Sequence, residues 1–198
     1  GMKAAAKKAF GTDNLKGKKI AVQGAGHVGE YLIQYLVKEE ADIFVTDIYQ
    51  PTLERIKEEY KVTIVGIDEI YDIPMDIYSP CALGATVNDD TLERLKCKVI
   101  AGAANNQLQD EVKHGKQLME MGIVYAPDYL INAGGVINCY FEVVGYDKDR
   151  VMNMTKDIYN TTLDIIEKAE KENIPTYMAA NRMAEERIES IGKIKLSF

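Results

Sequence analysis

A glycine-rich turn between a short apolar run and an amphipathic segment is the feature that most restricts how this chain folds. Residues 24–29 (GAGHVG) follow the apolar run 18–22 (KKIAV), and apolar residues at helical spacing begin at Val28. In such a turn the first glycine permits the tight bend, the second lets backbone approach a ligand, and the third lets helix and strand pack closely. The pattern predicts a strand–turn–helix unit near the start of the core.

Strand and helix patterns alternate along most of the chain. Short β-branched or apolar runs predict strands at 18–22, 43–46, 62–65, 76–78, 98–101 and 123–125, the fourth ended by Ser79-Pro80. Helical spacing predicts helices at 2–10, 28–37, 53–60, 89–95 and 114–121. Such alternation predicts an α/β fold with a doubly wound, mainly parallel sheet covered by helices on both faces, of the Rossmann type.

The last third of the sequence lacks strand patterns. Helices are expected at 133–144, 148–171 and 175–193. With no strand to return to, this tail should pack on the edge of the sheet or reach a neighbouring domain. We therefore expect a single domain made of a leading helix (1–11), a Rossmann core (12–132) and a helical tail (133–198), without repeats or flexible linkers.

An acidic residue stands at the end of the second predicted strand. Asp47 follows the glycine turn at close to the roughly 20 residues expected of an acid that bonds the ribose hydroxyls of a dinucleotide. Such a carboxylate repels a 2′-phosphate, so the pattern favours NAD over NADP. The alternative is a glycine-rich turn beside an exposed acid. His27 either contacts phosphate or faces solvent, and the second interpretation is favoured.

Three other strand ends are rich in small or amide residues. They are 79–84 (SPCALG), 102–107 (GAANNQ) and 127–135 (PDYLINAGG). Ligands of doubly wound sheets sit at the carboxyl ends of strands, and these loops suit a nicotinamide ring. Ordinary turns between strands and helices are the alternative for any one of them. Cys81 has no neighbouring histidine or acid in sequence to support a thiolate, so a packing role is favoured over a nucleophilic one.

Composition excludes several other classes of protein. The formal net charge of −7 argues against binding along a nucleic-acid backbone. Three cysteines without a CxxC pair and only two histidines make a metal site improbable and suit a reducing cytoplasm. No apolar run reaches the ~18 residues of a membrane span, and the N-terminus has no signal-peptide pattern.

Six segments carry a resemblance to a known family, and together they run the length of the chain. They are 1–11 (GMKAAAKKAFG), 23–29 (QGAGHVG), 79–84 (SPCALG), 99–108 (VIAGAANNQL), 124–138 (VYAPDYLINAGGVIN) and 174–188 (IPTYMAANRMAEERI). The sequence resembles the glutamate/leucine/phenylalanine/valine dehydrogenase family, and most closely its leucine dehydrogenases. The resemblance implies an NAD-dependent, reversible oxidative deamination of branched-chain L-amino acids such as leucine to 2-oxo acids, with release of ammonia.

The resemblance also implies roles for individual residues. The turn and Glu30 would hold the pyrophosphate, and apolar side chains on one helix face would line the substrate pocket. The implied cofactor-binding residues are Gly24, Ala25, Gly26, His27, Val28, Gly29, Glu30, Asp47, Ile48, Cys81, Ala82, Leu83 and Asn106. The implied substrate pocket holds Asn106, Val136 and Cys139. Cys139 stands where leucine dehydrogenases tend to have valine, which bears on the preferred amino acid.

The resemblance implies, finally, that a catalytic part is absent. Family members carry the lysines and aspartate that hold substrate and move protons in an N-terminal domain, and none of the lysines here matches those motifs. We therefore expect the NAD-binding domain of a homo-oligomeric enzyme, with little activity by itself. A free-standing NAD-binding sensor is the alternative. A one-domain short-chain dehydrogenase is disfavoured, because Tyr31, Tyr35 and Tyr140 lack a lysine four residues on.

Overall fold

The computed structural model of the protein describes residues 1–192. Its strands are β1 Lys19–Gln23, β2 Asp42–Thr46, β3 Thr63–Ile64, β4 Ile77–Pro80, β5 Val99–Ile100 and β6 Val124–Tyr125. Its α-helices are α1 Met2–Phe10, α2 His27–Lys38, α3 Gln50–Tyr60, α4 Asp89–Leu92, α5 Glu111–Glu120, α6 Asp128–Ile131, α7 Gly134–Val144, α8 Lys148–Glu172 and α9 Thr176–Gly192. A 3-10 turn spans Glu69–Tyr71.

All six strands form one parallel sheet in the order β3-β2-β1-β4-β5-β6. Alternate residues of β1 belong to the hydrophobic cores on opposite faces of the sheet. Ile20 belongs to the core shared with α1, α2, α3 and α8, whereas Ala21 belongs to the core shared with α4, α5 and the 3-10 turn. The predicted doubly wound α/β fold is thereby confirmed. The chain reverses direction across the sheet between β1 and β4, so the carboxyl ends of these strands flank the crevice where such folds bind ligands.

The helical tail packs beside the edge strand β6. The long helix α8 lies against α1 and α9, its Ile166 enters the core beneath the sheet, and α9 also contacts α5. The tail thus packs on the helices beside the sheet, through α8 on α1 and α6 and through α9 on α5. Lys193, the predicted end of the last helix, lies outside the described residues.

Several predicted boundaries are wrong. Helices α3 and α5 begin three residues earlier than expected, at Gln50 and Glu111, and β3 and β5 are shorter than expected. Strand β4 continues through Pro80, which is its last residue. The Pro80 carbonyl accepts the Ala104 amide at 3.0 Å, on the side where β5 has already ended. The Pro80 nitrogen faces the same side, so its lack of an N–H costs no hydrogen bond to a neighbouring strand. Helix α4 ends at Leu92 rather than at Leu95, and its last turn tightens where the Arg94 amide donates to the Thr91 carbonyl at 3.1 Å, three residues back.

No helix within residues 1–192 combines the length and the apolar character that crossing a lipid bilayer requires.

Candidate cofactor site

The glycine turn is shaped by two close backbone contacts. Gly24 has φ +101°, and a Cβ built on it would lie 2.6 Å from the Ala82 nitrogen at the end of β4. A Cβ on Gly29 would lie 2.1 Å from the Gly24 carbonyl oxygen. The first and third glycines are thus required by the turn itself and by the packing of α2 on it.

Gly26 differs from these two glycines because it faces open space. It caps α2 in an extended conformation (φ −66°, ψ −173°), and a Cβ there would meet no atom within 4 Å. The Glu30 amide donates to the Gly26 carbonyl at 2.9 Å, so the amides of residues 27–29 form the first turn and have no acceptor within the helix. A helix start of this kind, open and positively polarised, is suited to an anion.

Asp47 is joined directly to the glycine turn. Its Oδ2 accepts the Ala25 amide at 2.6 Å, and its Oδ1 accepts the Tyr49 amide at 2.8 Å. The turn is also held to β2 by the Gly24 amide, which donates to the Thr46 carbonyl at 2.8 Å. The acid predicted from its spacing therefore lies beside the turn, with its carboxylate half-buried at the rim of the crevice.

The loops after β4 and β5 interlock. A Cβ on Gly84 would lie 2.5 Å from the Asn105 carbonyl oxygen, and the Ala85 amide donates to the Asn106 carbonyl at 2.5 Å. Asn106 itself has φ +52°. Behind it, the buried Gln107 side chain donates to the carbonyls of Gly102 and Ala104 at 2.7 and 2.9 Å. Amides and glycines of two strand ends thus build one surface.

A cleft of about 1110 Å³ opens between α2 and α7. Of the three predicted pocket residues, Val136 and Cys139 line this cleft and Asn106 does not. Within the described residues, Asn105 of the loop after β5 lines the cleft in place of its neighbour Asn106. The Asn105 Oδ1 accepts a hydrogen bond from the Asn132 side-chain amide at 2.6 Å. The structure therefore brings the α7 residues together with the loop after β5, while the Asn106 carbonyl accepts the Ala85 amide of the neighbouring loop.

The remaining predicted residues differ in exposure. Ile48 and Leu83 are 89% and 93% exposed, so both present apolar side chains to solvent beside the crevice. His27 and Val28 are exposed as well, and Val28 lines the cleft. Cys81 is half-buried against Gly29, and burial raises the pKa of its thiol. A protonated thiol agrees with the predicted packing role.

Sequence patterns did not point to two side-chain clusters at this edge. Glu30 forms a two-point ion pair with Arg55 of α3, and the hydrogen bond from that guanidinium lowers the pKa of the Glu30 carboxyl. Below the turn, the buried Gln23 side chain donates to the Tyr71 hydroxyl at 2.8 Å and accepts from the Tyr78 hydroxyl. Both clusters join residues far apart in the sequence, which periodicity does not reveal.

A parallel sheet of this strand order, with a glycine turn at its switch point and an acid at the end of the neighbouring strand β2, defines the Rossmann-like α/β class of proteins to which many dehydrogenases belong.

Comparison with known proteins narrows this class. The chain belongs to the Glutamate/Leucine/Phenylalanine/Valine dehydrogenase family, whose model matches residues 44–193. It is 54% identical over its whole length to a leucine dehydrogenase of Thermoactinomyces intermedius and 53% identical to one of Bacillus subtilis (strain 168). The crystal structure of an L-tryptophan dehydrogenase from Nostoc punctiforme superposes on 96% of the chain with a TM-score of 0.93 at 42% identity.

The chain spans about half the length of these relatives: 54% of each leucine dehydrogenase and 57% of the tryptophan dehydrogenase chain.

Proposed function

We propose that this chain is the NAD-binding part of an amino-acid dehydrogenase that converts branched-chain L-amino acids, leucine foremost, to 2-oxo acids and ammonia. One observation carries the proposal: the Asp47 carboxylate is bound to the glycine turn at 2.6 Å, beside a helix start whose first amides are open. Together they provide donors for a diphosphate and an acceptor for ribose hydroxyls.

The choice of NAD over NADP follows from the charge of Asp47. Its two oxygens lie at the rim of the crevice and already accept one amide each, and every carboxylate oxygen accepts more than one hydrogen bond. Ribose hydroxyls would therefore be bound without displacing the existing bonds. A 2′-phosphate would bring a second negative charge to the same place and would be repelled.

NAD fits the residues at this edge, and when bound it would accept the hydride from the amino acid. Gly26, which faces open space, gives room for the diphosphate against the amides of residues 27–29. Residues 81–83 and Asn106 would border the nicotinamide end. The cleft beside them would take the substrate side chain against Val136 and Cys139.

Leucine is proposed as the substrate because the leucine dehydrogenases named above are more similar to this chain than the tryptophan dehydrogenase is, at 54% and 42% identity. Pockets of this kind separate substrates that differ by one methylene by only ~1–3 kcal/mol, so related branched amino acids should also react.

The chain alone is proposed to bind NAD and to oxidise leucine poorly. Hydride transfer requires the substrate to be held against the nicotinamide, and the catalytic lysines and aspartate implied by the resemblance would come from the part of the relatives that this chain does not match. We further propose a homo-oligomeric assembly in the cytoplasm for the complete enzyme.

Calorimetric titration of the chain with NAD and with NADP tests the proposal. NAD should bind, and NADP should bind at least tenfold more weakly. A tenfold difference corresponds to about 1.4 kcal/mol of binding free energy. Asp47→Ala should weaken NAD binding by about 1–3 kcal/mol, the value of hydrogen bonds to a charged group. Asp42→Ala, at the opposite end of the same strand, is the matched control and should bind NAD normally.

Leucine oxidation is measured in the same preparations, alone and with the unmatched half of the Thermoactinomyces intermedius relative added. Activity that rises on this addition supports the proposed role. An absence of NAD binding by the folded chain would contradict it. NAD binding without oxidation under either condition would instead favour a binding module.

A further inference from the structure

An ion pair joins the first turn of α2, which holds Glu30, to the second turn of α3, which holds Arg55. Both guanidinium Nη atoms of Arg55 meet the Glu30 carboxylate at 2.7 Å, and the Glu30 side chain is only 20% exposed. Tyr60 reinforces the pair, because its hydroxyl contacts Glu30 at 3.4 Å and accepts the Gln34 amide at 2.9 Å. Glu30 therefore holds Arg55 in a fixed two-point geometry.

The position of Arg55 makes its guanidinium relevant to the ribose. Helix α3 begins at Gln50, directly after Asp47 and its hydrogen-bond partner Tyr49. Arg55 lies about one helical turn, ~5.4 Å, beyond that start. Helical side chains lean toward the N-terminus of their helix, and arginine is long enough to span one turn. In the structure the guanidinium lies on Glu30 and Glu59; an Arg55 side chain released from Glu30 is long enough to extend toward the start of α3, which follows Asp47.

Guanidinium groups are the side chains best matched to a phosphate monoester. Their planar donors bind two phosphate oxygens at once, and they stay charged at all physiological pH values. An unpaired Arg55 at this edge would therefore favour a cofactor with a 2′-phosphate. In this structure its donors are instead occupied by Glu30.

We propose that Glu30 is a second determinant of cofactor specificity, which binds Arg55 and thereby withholds it from the 2′-phosphate of NADP. The inference rests on the proposed function, since it concerns the same site. It assigns two separate interactions that disfavour NADP. Asp47 repels the 2′-phosphate, and Glu30 holds the Arg55 guanidinium that would otherwise bind it. The Glu30 side chain consequently acts through Arg55 and not on the pyrophosphate.

This proposal predicts that the effects of Asp47 and Glu30 on NADP affinity are coupled. Removing the Glu30 charge alone leaves the repulsion by Asp47 in place, so Glu30→Gln should gain little NADP affinity. Removing Asp47 alone leaves Arg55 bound to Glu30. When both are changed, the described residues leave Arg55 a neutral amide oxygen at position 30 and its 3.3 Å contact with Glu59, an exposed pair one turn along the helix that is weak by nature.

The test measures NAD and NADP dissociation constants by titration calorimetry for the chain, Asp47→Asn, Glu30→Gln and the double variant. The amides keep the shapes of the carboxylates, and thermal unfolding checks that each variant folds. The double variant should bind NADP roughly tenfold or more tightly than Asp47→Asn, the gain expected of charge-assisted hydrogen bonds. Asp47→Ser with Glu30→Ala repeats the comparison should the first pair fail to fold.

A third substitution separates release of Arg55 from the simple loss of a negative charge. Arg55→Gln in the double variant should abolish the gain in NADP affinity, whereas the matched control Lys57→Gln, from the same helix, should keep it. The proposal is overturned if the double variant binds NADP no better than Asp47→Asn, or if the gain survives Arg55→Gln. Loss of NAD binding by the unaltered chain would refute the proposed function instead.

Discussion

Gly26→Ala should separate folding from cofactor binding at the glycine turn. The backbone of Gly26 (φ −66°, ψ −173°) is open to any residue, and a Cβ there meets nothing within 4 Å. The cost to folding comes only from placing alanine at a helix N-cap, where it is about 0.5–1 kcal/mol worse than glycine. The free energy of unfolding should therefore fall by no more than about 1 kcal/mol.

Gly24→Ala is the matched comparison within the same turn. At φ +101° an L-residue costs about 1–3 kcal/mol. Its Cβ would also lie 2.6 Å from the Ala82 nitrogen and 2.8 Å from the Cys81 carbonyl carbon, so backbone at the end of β4 must move. The two costs together should exceed about 3 kcal/mol, which is large for one substitution.

In Gly26→Ala, NAD binding should fall by more than stability does. The methyl group of Gly26→Ala occupies the open side of the turn, where a diphosphate must approach the amides of residues 27–29. We expect at least a tenfold loss of NAD affinity, about 1.4 kcal/mol, in a protein that unfolds almost normally. Urea unfolding followed by circular dichroism measures the first quantity and calorimetric titration the second. Unchanged NAD affinity in Gly26→Ala would refute the reasoning.

Three further predictions concern other parts of the chain. Asn88→Ala removes the capping box of α4, in which Asn88 accepts two amides, and should lower the free energy of unfolding by about 1 kcal/mol; an unchanged melting temperature would contradict this. The exposed Cys139 should react with a thiol reagent in the folded protein, whereas Cys97, whose pKa burial raises to about 12, should react only on unfolding; labelling followed by peptide mapping decides. The hydrogen bond from Arg94 lowers the pKa of Asp72. Their pairing therefore stabilises the fold above the ordinary aspartate pKa, and this stabilisation is lost as the pH falls through the lowered pKa. Urea unfolding from pH 7 to pH 2 should show a smaller loss of stability with falling pH in Arg94→Gln.

The fold followed from local patterns because its elements are locally encoded. Alternating short apolar runs and helical spacing predicted all six strands and the order of the main helices. Helix α1 ends at Phe10 and is capped by Gly11, whose φ of +75° is typical of a C-cap glycine. The spacing of Asp47 from the turn also predicted its position, since consecutive parallel strands bring their carboxyl ends to one edge.

The errors and omissions have a different origin. Pro80 is tolerated in β4 because of where β5 stops, and the sequence around Pro80 contains no sign of that register. The short helix α6 lies in a segment that looked like a loop rich in glycine and asparagine. Likewise, the pairing of Glu30 with Arg55 depends on how two helices lie side by side, which only the assembled sheet determines.

The anchoring of the Asp47 carboxylate by two backbone amides has a consequence for the kinetics of association with the proposed dinucleotide. The carboxylate is anchored by the amides of Ala25 and Tyr49, so neither the acid nor the turn has to be ordered when a dinucleotide docks. A rigid receptor of this kind forfeits little configurational entropy on complex formation. Association should therefore proceed in a single kinetic phase whose rate rises linearly with dinucleotide concentration, without the plateau that a slow loop rearrangement would impose.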